Sequence, residues 1–413
     1  MTTIDHAGRG EGGFRLSQLL YDRRYRSLTI QAVAMILLVL LVVWLVDNTV
    51  TNLSRQGKDI DFGFLGTVAG YDINQTLIPY SSQDTHLRAA AVGILNTLLV
   101  AFLGCIAATI VGVLAGVARL SRNWLISGLM AVYVEGFRNV PLLLWIIVIF
   151  AVMSEGMPQP RAFRGDDPAA SMLLGDSVAI TNRGIYIPGV EFAAPLAGST
   201  GWTWALILGA VLAGVLAARV VKKRADARQE ATGERPVTWP LRLALILGPA
   251  IALLFVFGAG LNKPELAGFN FQGGIHMRNS LIALWFALTL YTGAFIAENV
   301  RAGILSVSKG QSEAAFALGL RPGRTMSLII LPQALRVIIP PLISQYLNLT
   351  KNSSLALAVG YMDVRSTLGG ITINQTGREL EGMLLLGLFY LVTSLTISAL
   401  LNVYNGSVKL KER

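Results

Sequence analysis

The chain has 413 residues, 53% of them hydrophobic and 14% charged, with a formal charge of +10 at pH 7. A soluble domain carries roughly 25% charged residues, and the apolar excess here is gathered into runs of about 20 residues, the length that crosses a bilayer; an ordinary soluble enzyme or binding module is excluded. The positive charge calls for no nucleic acid as partner, because lysines and arginines kept on cytoplasmic loops of a membrane protein give the same total.

Cys105 is the only cysteine, so there is no disulfide framework. His6, His86 and His276 fall in separate predicted loops without metal-ligand spacing, and no metal site is expected. A basic stretch ending at Arg26 precedes the first apolar run, 28–46, and no small-residue cleavage site follows, so this run reads as a retained anchor. Further spans are expected over 90–118, 126–153, 202–221, 241–261, 280–304, 326–360 and 382–403, about eight in all. The seventh is too long for one straight crossing, and its first part reads as an interfacial approach to the membrane. Gly112 and Gly116 have the small-xxx-small spacing that lets helices pack closely in lipid, a common pattern also compatible with ordinary packing. The expected class is an all-α integral membrane bundle.

Orientation follows from the basic residues. With the N-terminus inside, the cytoplasmic segments hold Arg15, Arg23, Arg24 and Arg26, then Arg119 and Arg122, then the cluster Lys222-Lys223-Arg224, then Lys309, Arg321 and Arg324, and finally Lys409, Lys411 and Arg413. The opposite loops hold fewer basic residues, Lys58 among them, and carry acids such as Asp59, Asp166 and Asp167. Both termini are therefore expected to be cytoplasmic. Of the long outer loops, 154–201 is interrupted by Pro158, Pro160, Pro168, Pro188 and Pro195 and is expected to be mostly irregular.

After the sixth span, the segment 310–324 reads as a short helix over 312–318, capped by Ser312, with Glu313 in its first turn. Gly319 would stop it, and Pro322-Gly323 would turn the chain. Such a helix across the inner mouth of a bundle suits a lever for a partner protein; a plain connecting loop fits the spacing equally well.

Glu313-Ala314-Ala315, Gly319, Ile329, Leu331 and Pro332 match, residue for residue, the EAA signature of ABC importer permeases, a family the chain thereby resembles. The texts 133–143, 297–304, 331–341 and 351–355 resemble its polar amino-acid branch. The first anchor and the pair 202–221 and 241–261 exceed the short members and look like the large permease subunits of general L-amino-acid importers, including those handling glutamate, glutamine, aspartate and asparagine. The resemblance implies a type I importer bundle in the bacterial inner membrane. Glu313, Ala314, Ala315, Gly319, Leu331 and Pro332 would couple it to the ATPase. The implied partners are a second permease subunit (a heterodimer favoured), two ATPase subunits and a periplasmic amino-acid-binding protein, in contact with membrane lipid. No G-x-x-x-x-G-K-[ST] loop occurs, so this chain is expected to bind no cofactor and to catalyse nothing, with ATP and Mg²⁺ held by the ATPase.

Ionisable residues inside spans are costly and mark candidate sites. Glu135 and Arg138 sit three apart, share a helix face and are able to pair, either as a structural ion pair or on the solute path near Pro141. Glu298 and Arg301 repeat the spacing near the inner end of the sixth span, as an interfacial pair or an exit gate. Lys351 lies deep in the seventh span beyond an expected break at Pro340-Pro341, beside Asn352, Ser353 and Ser354. This polar stretch must face protein or a wet cavity, as a helix–helix contact or as the group that takes an amino-acid carboxylate.

The chain thus divides into a cytoplasmic tail 1–27, an extra helix and outer loop 28–89, a first core part 90–153, an insertion 154–276, a second core part 277–405 containing the coupling helix 308–322, and a tail 406–413. An ion-gradient-driven transporter would favour internal repeats with paired broken helices, and a membrane enzyme would need a catalytic constellation in the spans. Neither pattern is present.

Overall fold

The computed structural model describes residues 23–57, 59–165 and 167–408. The tail residues up to Asp22 and from Lys409, with Lys58 and Asp166, lie outside the described residues, and so do the orientation arguments drawn from them. Helices α1 (Arg23–Arg55), α2 (His86–Ala118), α3 (Trp124–Asn139) and α4 (Leu142–Gly156) open the chain. α1 has no buried residue along its apolar run, so its helicity comes from a continuous apolar sequence in a medium where only internal backbone bonds are available. α2 is capped by the Thr85 hydroxyl, which accepts from the Arg88 N–H at 3.3 Å.

The third expected span is not straight: α3 and α4 meet at 109°. Pro141 has no N–H to continue α3, and it forces Val140 into extended backbone (φ −110°, ψ 135°). Counting this pair as one span gives eight crossings among the described residues, in agreement with the expected number.

The long outer loop is not mostly irregular, as its prolines had suggested. Strands β1 (Ala179–Thr181), β2 (Gly184–Ile187) and β3 (Gly189–Phe192) precede helices α5 (Thr200–Thr232) and α6 (Trp239–Val256). Strands β4 (Ala259–Asn262), β5 (Glu265–Ala267), β6 (Asn270–Gln272) and β7 (Ile275–Arg278) follow. β1-β2-β7 form one antiparallel sheet, β3 pairs with β4, and β5 with β6. The prolines all fall outside the strands, where a missing donor breaks no ladder, and the β2–β7 and β3–β4 pairings join the two halves of the insertion. The fifth span also ends early: Gly258 (φ +62°) stops the helix, and 259–262 is strand.

The second core part runs through α7 (Asn279–Leu305), α8 (Lys309–Ala317), α9 (Pro322–Thr325), a π turn (Met326–Ile330) and α10 (Leu331–Asn352). A 3₁₀ turn (Ser353–Val359), α11 (Val364–Ser366), a second π turn (Thr367–Thr372), α12 (Ile373–Thr376) and α13 (Glu379–Val408) complete it. The break expected at Pro340-Pro341 is absent. α10 runs through both prolines, as membrane helices do where neighbouring groups satisfy the freed carbonyls.

The core lies where α2, α4, α7 and α10 meet, around Val100, Ala108, Ile146, Leu284, Ile296 and Leu349. The α2–α7 pair is its most extensive seam. A Cβ on Gly112 would stand 2.6 Å from Ile296 and 2.8 Å from the Gly293 carbonyl, and one on Gly116 would stand 2.6 Å from the Ala297 carbonyl. Gly112→Val is therefore expected to lower the apparent melting temperature in detergent by several degrees, corresponding to an overpacking cost of about 1–3 kcal/mol. Gly128→Val on α3, where a Cβ meets open space, is the control, and equal melting of the two variants would contradict the seam.

Candidate functional site

Three constellations lie along the bundle. At the end of α7 remote from the sheets, α8 begins at Lys309 after Ser308, one turn earlier than expected, and Ser308 makes no side-chain cap bond. Gly319 ends the turn in the left-handed region (φ +74°), its N–H donating to the Phe316 carbonyl at 2.9 Å while the Leu320 N–H donates to Ala315 at 3.0 Å. Pro322 does not turn the chain; it is the first residue of α9, where its missing N–H and fixed φ suit a helix start. α8 is anchored by Ala315, which is 1% exposed, while Phe316 and Leu318 are 52% and 80% exposed. Glu313 and Ala314 are exposed on the same short helix, and Leu331 and Pro332 are exposed at the start of α10. One small buried residue thus holds the segment, and two large apolar side chains and a carboxylate stay outward, an exposed apolar surface of the kind found at protein contacts.

Near the same end of α7, Glu298 pairs with Arg301 at 2.6 Å, as the spacing predicts, and also with Arg119 from the end of α2. Glu135 and Arg138 do not pair with each other. Glu135 lies 3.9 Å from Arg119 and accepts from Asn139 at 3.4 Å, whereas the Arg138 guanidinium sits 5.3 Å from the centre of the Phe295 ring. Shared helix face allowed the pair, but Arg119 and Phe295 on other helices offered better partners. Arg119 was missed as a site residue: 179 positions separate it from Glu298, and no local spacing signals their contact. These charges tie α2, α3 and α7 together where the α3–α4 elbow begins.

On α10, Ser344, Asn348 and Lys351 are exposed at helical spacing of four and three, so they form one stripe. Leu349 packs against Gly104 and the Tyr346 hydroxyl bonds Thr109 at 2.7 Å, which sets this stretch level with the middle of α2. Lys351 has no ion pair among the described residues. A bare ammonium facing hydrocarbon would cost several kcal/mol, so the stripe faces a wet path or another subunit. Ser353 lies elsewhere: it is buried and donates to the Thr350 carbonyl at 2.7 Å. Asn352 and Ser354 are half-buried. Ser344 was not singled out from sequence, although its spacing to Asn348 and Lys351 carried the signal.

Replacing either partner of the Arg119–Glu298 pair by Gln is expected to lower the apparent melting temperature, and the double variant should lose less than the sum, with a coupling of roughly 0.5–3 kcal/mol. Strict additivity would mean the pair holds nothing together.

A family model described as "binding-protein-dependent transport system inner membrane component" matches residues 237–409. The chain is 57% identical to the glutamate/glutamine/aspartate/asparagine transport system permease protein BztB of Rhodobacter capsulatus, over 98% of each chain. It is 43% identical to the general L-amino acid transport system permease protein AapQ of Rhizobium johnstonii, over 97% of this chain and 96% of that one. It is 44% identical to the putative amino-acid ABC transporter permease protein YhdX of Escherichia coli, over 94% of this chain and 95% of that one.

Proposed function

Because this chain belongs to the family of binding-protein-dependent transport system inner membrane components, we propose that it is a permease subunit of an ATP-driven importer of L-amino acids in a bacterial inner membrane, with both termini cytoplasmic. The observation that carries the reading is α8, a nine-residue helix whose outward Glu313, Phe316 and Leu318 are left for a partner. Two ATPase subunits hold ATP and Mg²⁺, and one of them grips α8. A second permease subunit, preferably a different chain, completes the path, and a periplasmic amino-acid-binding protein delivers the solute. The substrate class follows the relatives that match the chain end to end.

ATP-driven closure of the ATPase pulls on α8, and the motion passes back to α7 and forward through α9 to α10. The Arg119–Glu298–Arg301 cluster and Glu135 hold the inner mouth shut until α7 moves against α2 and α3. Lys351 attracts the carboxylate shared by all amino acids, while Ser344 and Asn348 line the same face.

Glu313→Arg or Gly319→Asp is expected to reduce ATP-dependent amino-acid uptake at least ten-fold in reconstituted vesicles while the protein stays in the membrane; normal uptake by either would remove α8 from coupling. Lys351→Met is expected to weaken transport of several amino acids alike, and an unchanged dependence on solute concentration would take Lys351 off the path.

A further inference from the structure

A cavity of about 580 Å³ opens at the end of the bundle opposite α8, between the sheets of the insertion, the end of α4, the start of α7 and the end of the 3₁₀ turn. This is within the size range of small-molecule sites. Its polar wall includes Asn182, Arg183, His276, Arg278 and Asn279. Arg183 lies in the two-residue turn between β1 and β2, and Arg278 stands on β7 directly opposite Gly184. One ladder step therefore brings the backbones of the two arginines together, strands being ~4.8 Å apart. Gly184 (φ +142°) permits this, since a Cβ there would come within 2.2 Å of the Met277 carbonyl and 2.8 Å of the His276 ring.

The wall is held by bonds within the insertion. The Asn182 N–H donates to the Pro158 carbonyl at 2.9 Å, and Asn279 Nδ2 donates to the Asn182 carbonyl. His276 Nε2 donates to the Arg183 carbonyl at 3.1 Å, with its ring stacked 4.1 Å from Tyr186. Burial, and after it the charge of Arg278, hold the His276 pKa below its ordinary value against the pull of that carbonyl, so the positive charge here belongs to the guanidinium groups. No carboxylate lines the cavity, and neither arginine has an ion pair among the described residues. Arg183 commits one N–H to the Phe269 carbonyl at 3.3 Å. Two arginines without ion pairs, on neighbouring backbone positions of a concave wall that holds no carboxylate, make that wall electropositive, which suits an anion.

Val359 brings the cavity to the outer end of the 3₁₀ turn that starts two residues after Lys351. At ~2.0 Å per residue, ~16 Å of backbone separates the cavity from Lys351. We propose that the insertion builds an outer receiving site for the carboxylate of a free amino acid, with Arg183 and Arg278 as its anion-binding pair, from which the solute moves inward toward Lys351. The site rests on the importer reading above. It holds dicarboxylate solutes more tightly than cationic ones and gives the insertion a function of its own.

The test is equilibrium binding of radiolabelled L-glutamate to the complete transporter in nanodiscs, without the binding protein. Arg183→Gln and Arg278→Gln are each expected to weaken binding about ten-fold or more, and Arg278→Lys to restore part of it. Unlabelled L-aspartate should displace the label at least ten-fold better than L-lysine, a comparison that stands even if a Gln variant fails to assemble. A wild-type complex that binds no L-glutamate, or Gln variants that bind it undiminished, would overturn the site. A loss confined to affinity for the binding protein would also overturn it and assign the arginines to a protein contact. ATP-dependent uptake by the wild-type complex, measured alongside, separates these failures from failure of the importer reading.

Discussion

The close approach of α2 and α7 is the constraint on which the rest of the molecule depends. Lipid offers no hydrophobic drive for helices to associate, so the pair is held by dispersion across surfaces that fit. The fit requires glycine at 112 and 116, where any side chain would strike Ile296 or the backbone of Ala297. Once the seam closes, Arg119 at the end of α2 is delivered to Glu298 on α7, and α10 is docked through Leu349 on Gly104. The Arg119–Glu298–Arg301 charges and the polar stripe of α10 take their places from this one contact.

A second constraint is the cost of unpaired polar groups away from water. Where α2 meets the segment after the 3₁₀ turn, buried polar groups find partners: the Tyr361 hydroxyl donates to the Asn96 carbonyl at 3.1 Å, Asn96 Nδ2 donates to the Met362 and Gln75 carbonyls at 2.9 and 2.8 Å, and one carboxylate oxygen of Asp363 accepts from Ser366. Against that background the exposed Ser344, Asn348 and Lys351 stand out, because nothing within the described residues compensates the lysine.

Much of this was legible in the sequence for a simple reason: spans and the α8 segment are local patterns. Apolar runs located the helices, and Gly319 marked the end of α8 because only a left-handed residue stops it there. What was hidden depends on distant partners. Pro141 stood inside a run read as one span, 126–153, but how far α4 would swing is decided by its packing on α7. The strands of the insertion are three or four residues long, too short for alternation to register, and the β2–β7 and β3–β4 pairings reach across α5 and α6. Glu135 and Arg138 had a plausible local pairing that lost to Arg119 and Phe295, contacts no spacing rule anticipates.

α7 carries no proline and runs unbroken from the β7 strand to the residues just before α8. Its 27 residues span ~40 Å, and bending it would break backbone bonds that no water is present to replace. It therefore behaves as a single stiff rod pivoting in the α2 seam, and a tilt of about 5° around its midpoint carries each end by ~1.7 Å in opposite senses. A solute among the sheets at one end and a partner on α8 at the other would be weighed on the same beam.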